Sequence, residues 1–144
     1  MKKFLFILLW IWQLPQNIVG FILSRFRKSI IYITFNDGTM GRIYFTSNVF
    51  GCGVSLGEYI LMDYKSYWDY RFTDGTVETY NHEHGHQKQS RYLGIFYLLF
   101  IGIPSACGNL IDRIVHKKHK NGCWYYKQPW EKWADRLGQV DRKN

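Results

Sequence analysis

The chain has 144 residues, enough for one domain with a modest core and too few for a soluble protease built of two lobes. Lys and Arg outnumber Asp and Glu by 19 to 11, a formal net charge of +8 that suits an anionic membrane surface or a nucleic acid. Cys52, Cys107 and Cys123 are odd in number, widely spaced and without a CxxC pair, which argues against a disulfide framework and against a cysteine-based zinc finger.

Lys2 and Lys3 precede an unbroken apolar run from Phe4 to Trp12, and no small-x-small cleavage site follows, so the segment is expected to stay on the chain. Apolar residues continue to Leu23. As one helix, Phe4 to Leu23 would reach about 30 Å, the thickness of a bilayer core. Gln13, Pro15, Gln16 and Asn17 interrupt it, and such side chains are costly in hydrocarbon unless they meet protein or water. A span, a kinked and partly inserted helix, and a buried amphipathic helix of a soluble fold all fit. Arg25, Arg27 and Lys28 match the lysines at the other end, so the positive-inside rule gives no orientation. Residues 1–28 are assigned to this hydrophobic, membrane-directed helix and 29–144 to a single domain.

Residues 29–75 read as β-rich. Ile30 to Phe35 and Arg42 to Ser47 are β-branched and aromatic and flank the turn Asn36-Asp37-Gly38, which predicts a hairpin. Gly51, Gly53 and Gly57 punctuate the next stretch, and Glu58 to Met62 and Tyr67 to Phe72 read as further short strands of a small antiparallel sheet. Its aromatics are assigned to packing. Thr73 to Thr76 is turn and N-cap material, and residues 76–93 form a helix carrying Val77, Tyr80, His82, His86 and Gln89. The apolar segment 94–114 is broken by Gly102, Pro104 and Gly108, as a helical hairpin or a re-entrant piece would be. After a basic loop from Arg113 to Lys120, Pro129 opens a last helix, residues 128–140, with Trp130, Trp133, Ala134 and Leu137 at helical spacing beside Glu131 and Asp135. The fold class is therefore α+β: a small antiparallel sheet packed on the 76–93 helix and a glutamate-bearing C-terminal helix, with N-terminal and central hydrophobic helical segments.

One pentapeptide names a chemistry. His82-Glu83-His84-Gly85-His86 is an HExxH motif, and on a helix its two outer histidines share a face, so they can present two imidazoles to one zinc ion with Glu83 beside them. His84 faces away. A catalytic zinc site takes three protein ligands and leaves the fourth position to water. His116, His119, Asp112, Glu131, Asp135 or a cysteine can supply the third. The two histidines sit among lysines, which disfavours a cation there, whereas Glu131 lies on a helix whose tryptophans would dock it, and Asp135 one turn on could receive the free N–H of a zinc-bound imidazole.

The HEHGHxxQ stretch, followed 45 residues after His86 by Glu131-Lys132-Trp133-Ala134-Asp135, resembles the gluzincin metallopeptidases, especially the membrane-associated group containing the CAAX prenyl endopeptidases and the HtpX-type proteases. The resemblance covers residues 76 to 140 and rests on the two motifs. It implies a minimal zincin-like fold, Zn2+ on His82, His86 and Glu131, Glu83 as general base and Asp135 behind the ligands. It also implies a peptide or protein substrate and a location at the bacterial inner membrane. The apolar segment between the motifs is too short for two full transmembrane helices, so substrate class does not transfer. His116, His119, Tyr125, Tyr126 and Arg136 are the available oxyanion donors, and an exposed sheet edge could hold an extended peptide by strand addition. Two alternatives stand beside this. One is a non-catalytic zinc-binding subunit that binds a protein partner in a membrane assembly, which the small size favours. The other is an intramembrane protease using Asp112, disfavoured by the polar flanks Glu78, Asn81, Gln87 and Arg91. A nucleic-acid enzyme is disfavoured by the hydrophobic start and the lack of a recognisable binding motif.

Overall fold

A computed structural model describes residues 2–47, 53–64, 74–115 and 124–142. Five helices and one sheet of four strands are found among them, an α+β arrangement. The apolar N-terminal stretch is two helices, α1 (Lys2–Trp12) and α2 (Leu14–Ser24), meeting at 97° across Gln13 with Pro15 in the first turn of α2. No single helix among the described residues is long and apolar enough to cross a membrane.

Strands β1 (Arg27–Thr34) and β2 (Met40–Thr46) form the expected hairpin. Its turn works because Gly38 supplies φ +79° and the Asp37 carboxylate accepts from both the backbone N–H and the hydroxyl of Thr39. The sheet is mixed rather than antiparallel, which corrects the expectation. A short strand that composition did not reveal, β3 (Gly53–Leu56), runs back before β4 (Tyr59–Asp63), and the order is β1-β2-β4-β3. With one extra reversal between them, β4 lies beside β2 in the same direction, Ile43 opposite Ile60 and Phe45 opposite Met62. The Tyr67 to Phe72 strand lies outside the described residues.

The two central strands are covered on both faces, so the run Ile43 to Thr46 and the run Ile60 to Met62 are buried throughout instead of alternating. One face packs Ile43, Phe45, Ile60 and Met62 with Phe35 and with Tyr80 of helix α3 (Asp74–Leu93). The other meets α2, whose Gly20 comes so close that an added Cβ would stand 2.7 Å from the Leu56 carbonyl oxygen and 2.9 Å from the Tyr59 side chain. Asn17 of α2 fixes the β3–β4 turn by accepting from the Glu58 N–H at 2.8 Å and donating to the Trp10 carbonyl at 2.9 Å.

Helix α3, 20 residues and about 30 Å long, is the axis of the molecule. It stops at Gly94, where φ is +56° and an added Cβ would lie 2.1 Å from the Trp12 ring. The broken apolar segment follows as a 3-10 turn (Gly94–Phe96), a π-helical turn (Leu98–Gly102) and α4 (Ile103–Val115), with Pro104 at the start of α4, where its missing N–H costs nothing. The last helix, α5 (Pro129–Gly138), begins on Pro129 and ends on Gln139 at φ 56°, with the Val140 N–H reaching back to the Asp135 carbonyl.

Candidate metal centre

Helix α3 supplies His82 and His86 one turn apart, and α5 lays Glu131 across them. This approach needs two glycines. A Cβ on Gly85 would lie 1.9 Å from the Ala134 carbonyl oxygen, and one on Gly138 would lie 2.0 Å from that of Asn81, so the helices touch backbone to backbone at both ends of the contact. Glu131 is fully buried. Its Oε2 is 3.0 Å from His82 Nε2 and 3.2 Å from His86 Nε2.

The other ring nitrogens are held from behind. His82 Nδ1–H donates to Asp135 Oδ1 at 2.6 Å, and Asp135 Oδ2 accepts from Arg142 Nε at 2.9 Å. His86 Nδ1–H donates to Gln89 Oε1 at 2.7 Å. The orientation of that amide follows from its other end, where Gln89 Nε2 donates to the Trp130 carbonyl at 2.8 Å. With both Nδ1 atoms protonated, a neutral imidazole presents a bare Nε2 lone pair. Two lone pairs then face a carboxylate oxygen that is also an acceptor, an arrangement only a cation between them satisfies. The second carboxylate oxygen, Glu131 Oε1, is buried without a hydrogen-bond partner.

These observations fit a metal ion. Ligands at about 2.0–2.1 Å in a tetrahedron lie about 3.3 Å apart, close to the 3.0 and 3.2 Å found, and the three ligand atoms lie within 4.8 Å of one another. His82, His86 and Glu131 could therefore hold one. Without it, a proton takes that place: burial works against charging His82, but Asp135 and Glu131 outweigh it and its pKa is pushed up to about 9. Burial likewise raises the Glu131 carboxyl, and the two imidazoles more than reverse this, holding it far below the usual carboxylate range.

Glu83 follows His82 and is wedged against the edge strand β3. Ser55 Oγ lies 2.6 Å from the Glu83 carbonyl oxygen and 2.9 Å from Oε2, with one proton to give, and a Cβ on Gly53 would lie 3.1 Å from Glu83 Oε1. Tyr97, whose phenol burial pushes well up, donates to the Ser55 carbonyl at 3.2 Å. Of the oxyanion donors considered, Tyr126 packs its ring edge-on to His82 under the Arg142 guanidinium, and Arg136 is exposed. Tyr125 is buried with its hydroxyl 2.7 Å from Ser105 Oγ; burial first, and the nearby Glu131 second, push its phenol far up. His116, His119, Cys52 and Cys123 lie outside the described residues, while Asp112 is not in the group and Cys107 is exposed on α4.

His84 points away from the cluster, stacked on Phe35 at 3.9 Å. Its Nε2 lies 3.0 Å from Asp37 Oδ2, which also takes Lys88 Nζ at 2.7 Å, and its Nδ1 bonds Gln87. This cluster welds α3 to the β1–β2 turn. Sequence reasoning did not assign Ser55, Gln89 or Arg142. Only Gln89 carried a signal, its place three residues after His86 on the same face. Comparison with protein-family models, with curated proteins and with solved structures gave no match.

Proposed function

We propose that the chain is a zinc-dependent metallopeptidase of the gluzincin type, with a minimal zincin-like fold, acting on a peptide substrate at a membrane. The observation that carries this reading is the convergence of His82, His86 and Glu131 beside Glu83, on elements that present one carboxylate to two oriented imidazoles. The donor set of two nitrogens and one oxygen suits Zn2+ in a site with an open position. Bound there, zinc supplies Lewis acidity towards a scissile carbonyl and lowers the pKa of water to about 7. Glu83, on the next residue of the same helix, takes the proton from the attacking water and delivers it to the leaving amine. Asp135 and Gln89 hold the imidazoles in the tautomer that exposes Nε2. The edge strand β3, against which Glu83 lies, is the side from which an extended peptide would be held.

A second reading has its own support. His82, Glu83, His86 and Glu131 are all buried, and the Glu83 carboxylate is engaged by Ser55, as suits a structural zinc centre that binds a protein partner instead of cutting a peptide. Metal analysis and a quenched-fluorescence peptide library separate the two. The peptidase reading expects about one zinc per chain, its loss in Glu131→Ala, and in Glu83→Gln full zinc with cleavage reduced about 100-fold or more. Zinc retained by Glu131→Ala would overturn the ligand set. Cleavage equal in Glu83→Gln and the unaltered chain would overturn the role of Glu83, and a zinc-loaded chain that cuts nothing would leave the structural reading.

A further inference from the structure

The N-terminal helices present an inverted pattern. The residues of α2 that face the protein are Gln16, Asn17, Gly20 and Ser24, all buried, with Gln13 buried at the bend, while its outward residues are large and apolar. Gln13 donates to Glu58 and accepts from Ser90; Gln16 donates to Ser90 and to the Gly94 carbonyl. On α1 the five consecutive side chains from Phe4 to Leu8 are each about half or more exposed, from 47 to 66%, so no face of that stretch is covered. Beyond Gly94, which abuts the Trp12 ring, Phe96, Leu99, Phe100 and Ile103 extend the exposed apolar surface. A patch of this size is not left to water.

The bend decides how an apolar medium would be met. Each of α1 and α2 has 11 residues, about 16 Å, half the thickness of a bilayer core. Straightening them into one span would pull the Gln13, Gln16 and Asn17 amides off their protein partners into hydrocarbon, at several kcal/mol for each group left unpaired. The charge pattern points to what lies alongside. Arg25, just past α2, and Arg27 and Lys28, at the start of β1, are exposed and line a hollow of about 480 Å3 with Ser29 and Ile30, and no acidic residue occurs from Met1 to Asn36.

We propose that α1, α2 and the exposed apolar segment beyond Gly94 seat the protein in one leaflet of an anionic bilayer. The two helices lie in the interfacial plane, and Arg25, Arg27 and Lys28 take lipid phosphates. This seat sets the mode of membrane contact and does not depend on whether the metal centre is catalytic. Outward residues sink to the boundary of headgroups and acyl chains, roughly 5–10 Å deep, and the buried polar network keeps the bend rigid. Arg25 and Lys28 already lie over the Phe21 and Tyr64 rings, which brings their charges to the rim of the apolar face.

The test is sedimentation of the purified chain with vesicles of phosphatidylcholine alone or with one-third phosphatidylglycerol, with far-ultraviolet circular dichroism and a melting curve on every sample as a check of folding. Binding to the anionic vesicles is expected, weakened about thirtyfold by Arg25→Gln with Lys28→Gln. Ile7→Asp with Ile22→Asp, both on the exposed apolar face, should abolish binding at unchanged helix content. Should that variant misfold, the charge variant and the lipid comparison still decide. Equal binding to neutral and anionic vesicles would overturn the assignment of the basic rim. A chain that ignores both vesicles and sediments as a dimer would assign the face to a second copy and overturn the seat. In a chain with its cysteines replaced by serine, Lys2→Cys and Ser29→Cys, at polar positions flanking the two helices, should both react with an impermeant maleimide added outside; protection of one end alone would mean a span and overturn the in-plane geometry.

Discussion

Replacing Gly85 by alanine tests the core of the structural argument, because two opposing effects can be weighed against each other. Alanine in a helix interior is favoured over glycine by about 0.5–1 kcal/mol, so an open site would gain stability. At Gly85 the new Cβ would stand 1.9 Å from the Ala134 carbonyl oxygen, against a normal carbon-to-oxygen contact of about 3.3 Å. The two helix backbones must therefore part by about 1.4 Å. Overpacking of this kind costs about 1–3 kcal/mol, which outweighs the helix gain and lowers Tm by several degrees. The larger consequence is at the metal centre. Glu131 lies one turn from Ala134, and metal ligands tolerate errors of only about 0.2 Å, so the carboxylate is carried out of reach of His82 and His86. Competition with a chromophoric chelator should show zinc affinity reduced by at least about 100-fold. An alanine variant with unchanged zinc affinity and a raised Tm would refute the reasoning, since it would mean that the helices do not touch there.

Three further outcomes follow from the same geometry. Asp135→Asn leaves a side chain that still accepts from His82 Nδ1 but no longer balances Arg142, and zinc affinity should fall about 10- to 100-fold in the chelator assay with the fold retained. Asp37 should govern part of the acid limb. Burial raises its carboxyl, but Lys88, Thr39 and His84 more than reverse this and hold it well below its ordinary 3.8, so its stabilising effect is complete above that pH and is lost as pH falls towards the depressed value. Melting curves of the parent and of Asp37→Asn should therefore differ fully at pH 6, with a gap that narrows steadily as pH falls below 3.8; a constant gap would contradict the pairing. Ser55→Ala frees Glu83 from its hydroxyl partner, and under the peptidase reading the pH profile of cleavage should shift while zinc content holds.

What was legible in the sequence was local. The spacing of His82 and His86 and the aromatic flanks of Glu131 are properties of single helices; Glu131 is preferred on those flanks, the set of three is what the motif resemblance implies, and the three side chains do lie together. The mixed sheet was not legible, because β3 is four residues beginning at a glycine, with only Val54 of strong strand character, and its place beside β4 is set by partners distant along the chain. Gln13, Gln16 and Asn17 read as defects in an apolar stretch. They are instead the inward side of the bend and of α2, since the surface they meet, Ser90, Glu58 and the Gly94 carbonyl, is itself polar. Arg142 and Ser55 join the centre through approaches of 7 and 28 residues that leave no periodic trace.

Helix α3 has an unusual relation to its surroundings. From Tyr80 to Ser90 every residue but Lys88 is buried, yet most are polar, so each face of the helix is held by directed bonds to a different neighbour: Asn36 at one side, Asp37 at another, Ser55, Asp135 and Gln13 at the rest. A greasy helix can slide or rotate by small amounts and keep most of its burial energy; this one cannot, because a rotation of a few tens of degrees breaks bonds on all sides at once. The pentapeptide is thus fixed in azimuth before any ion arrives. It also follows that loss of activity on substituting a residue between Asn81 and Ser90 says little about chemistry by itself, because scaffold and site there are the same bonds.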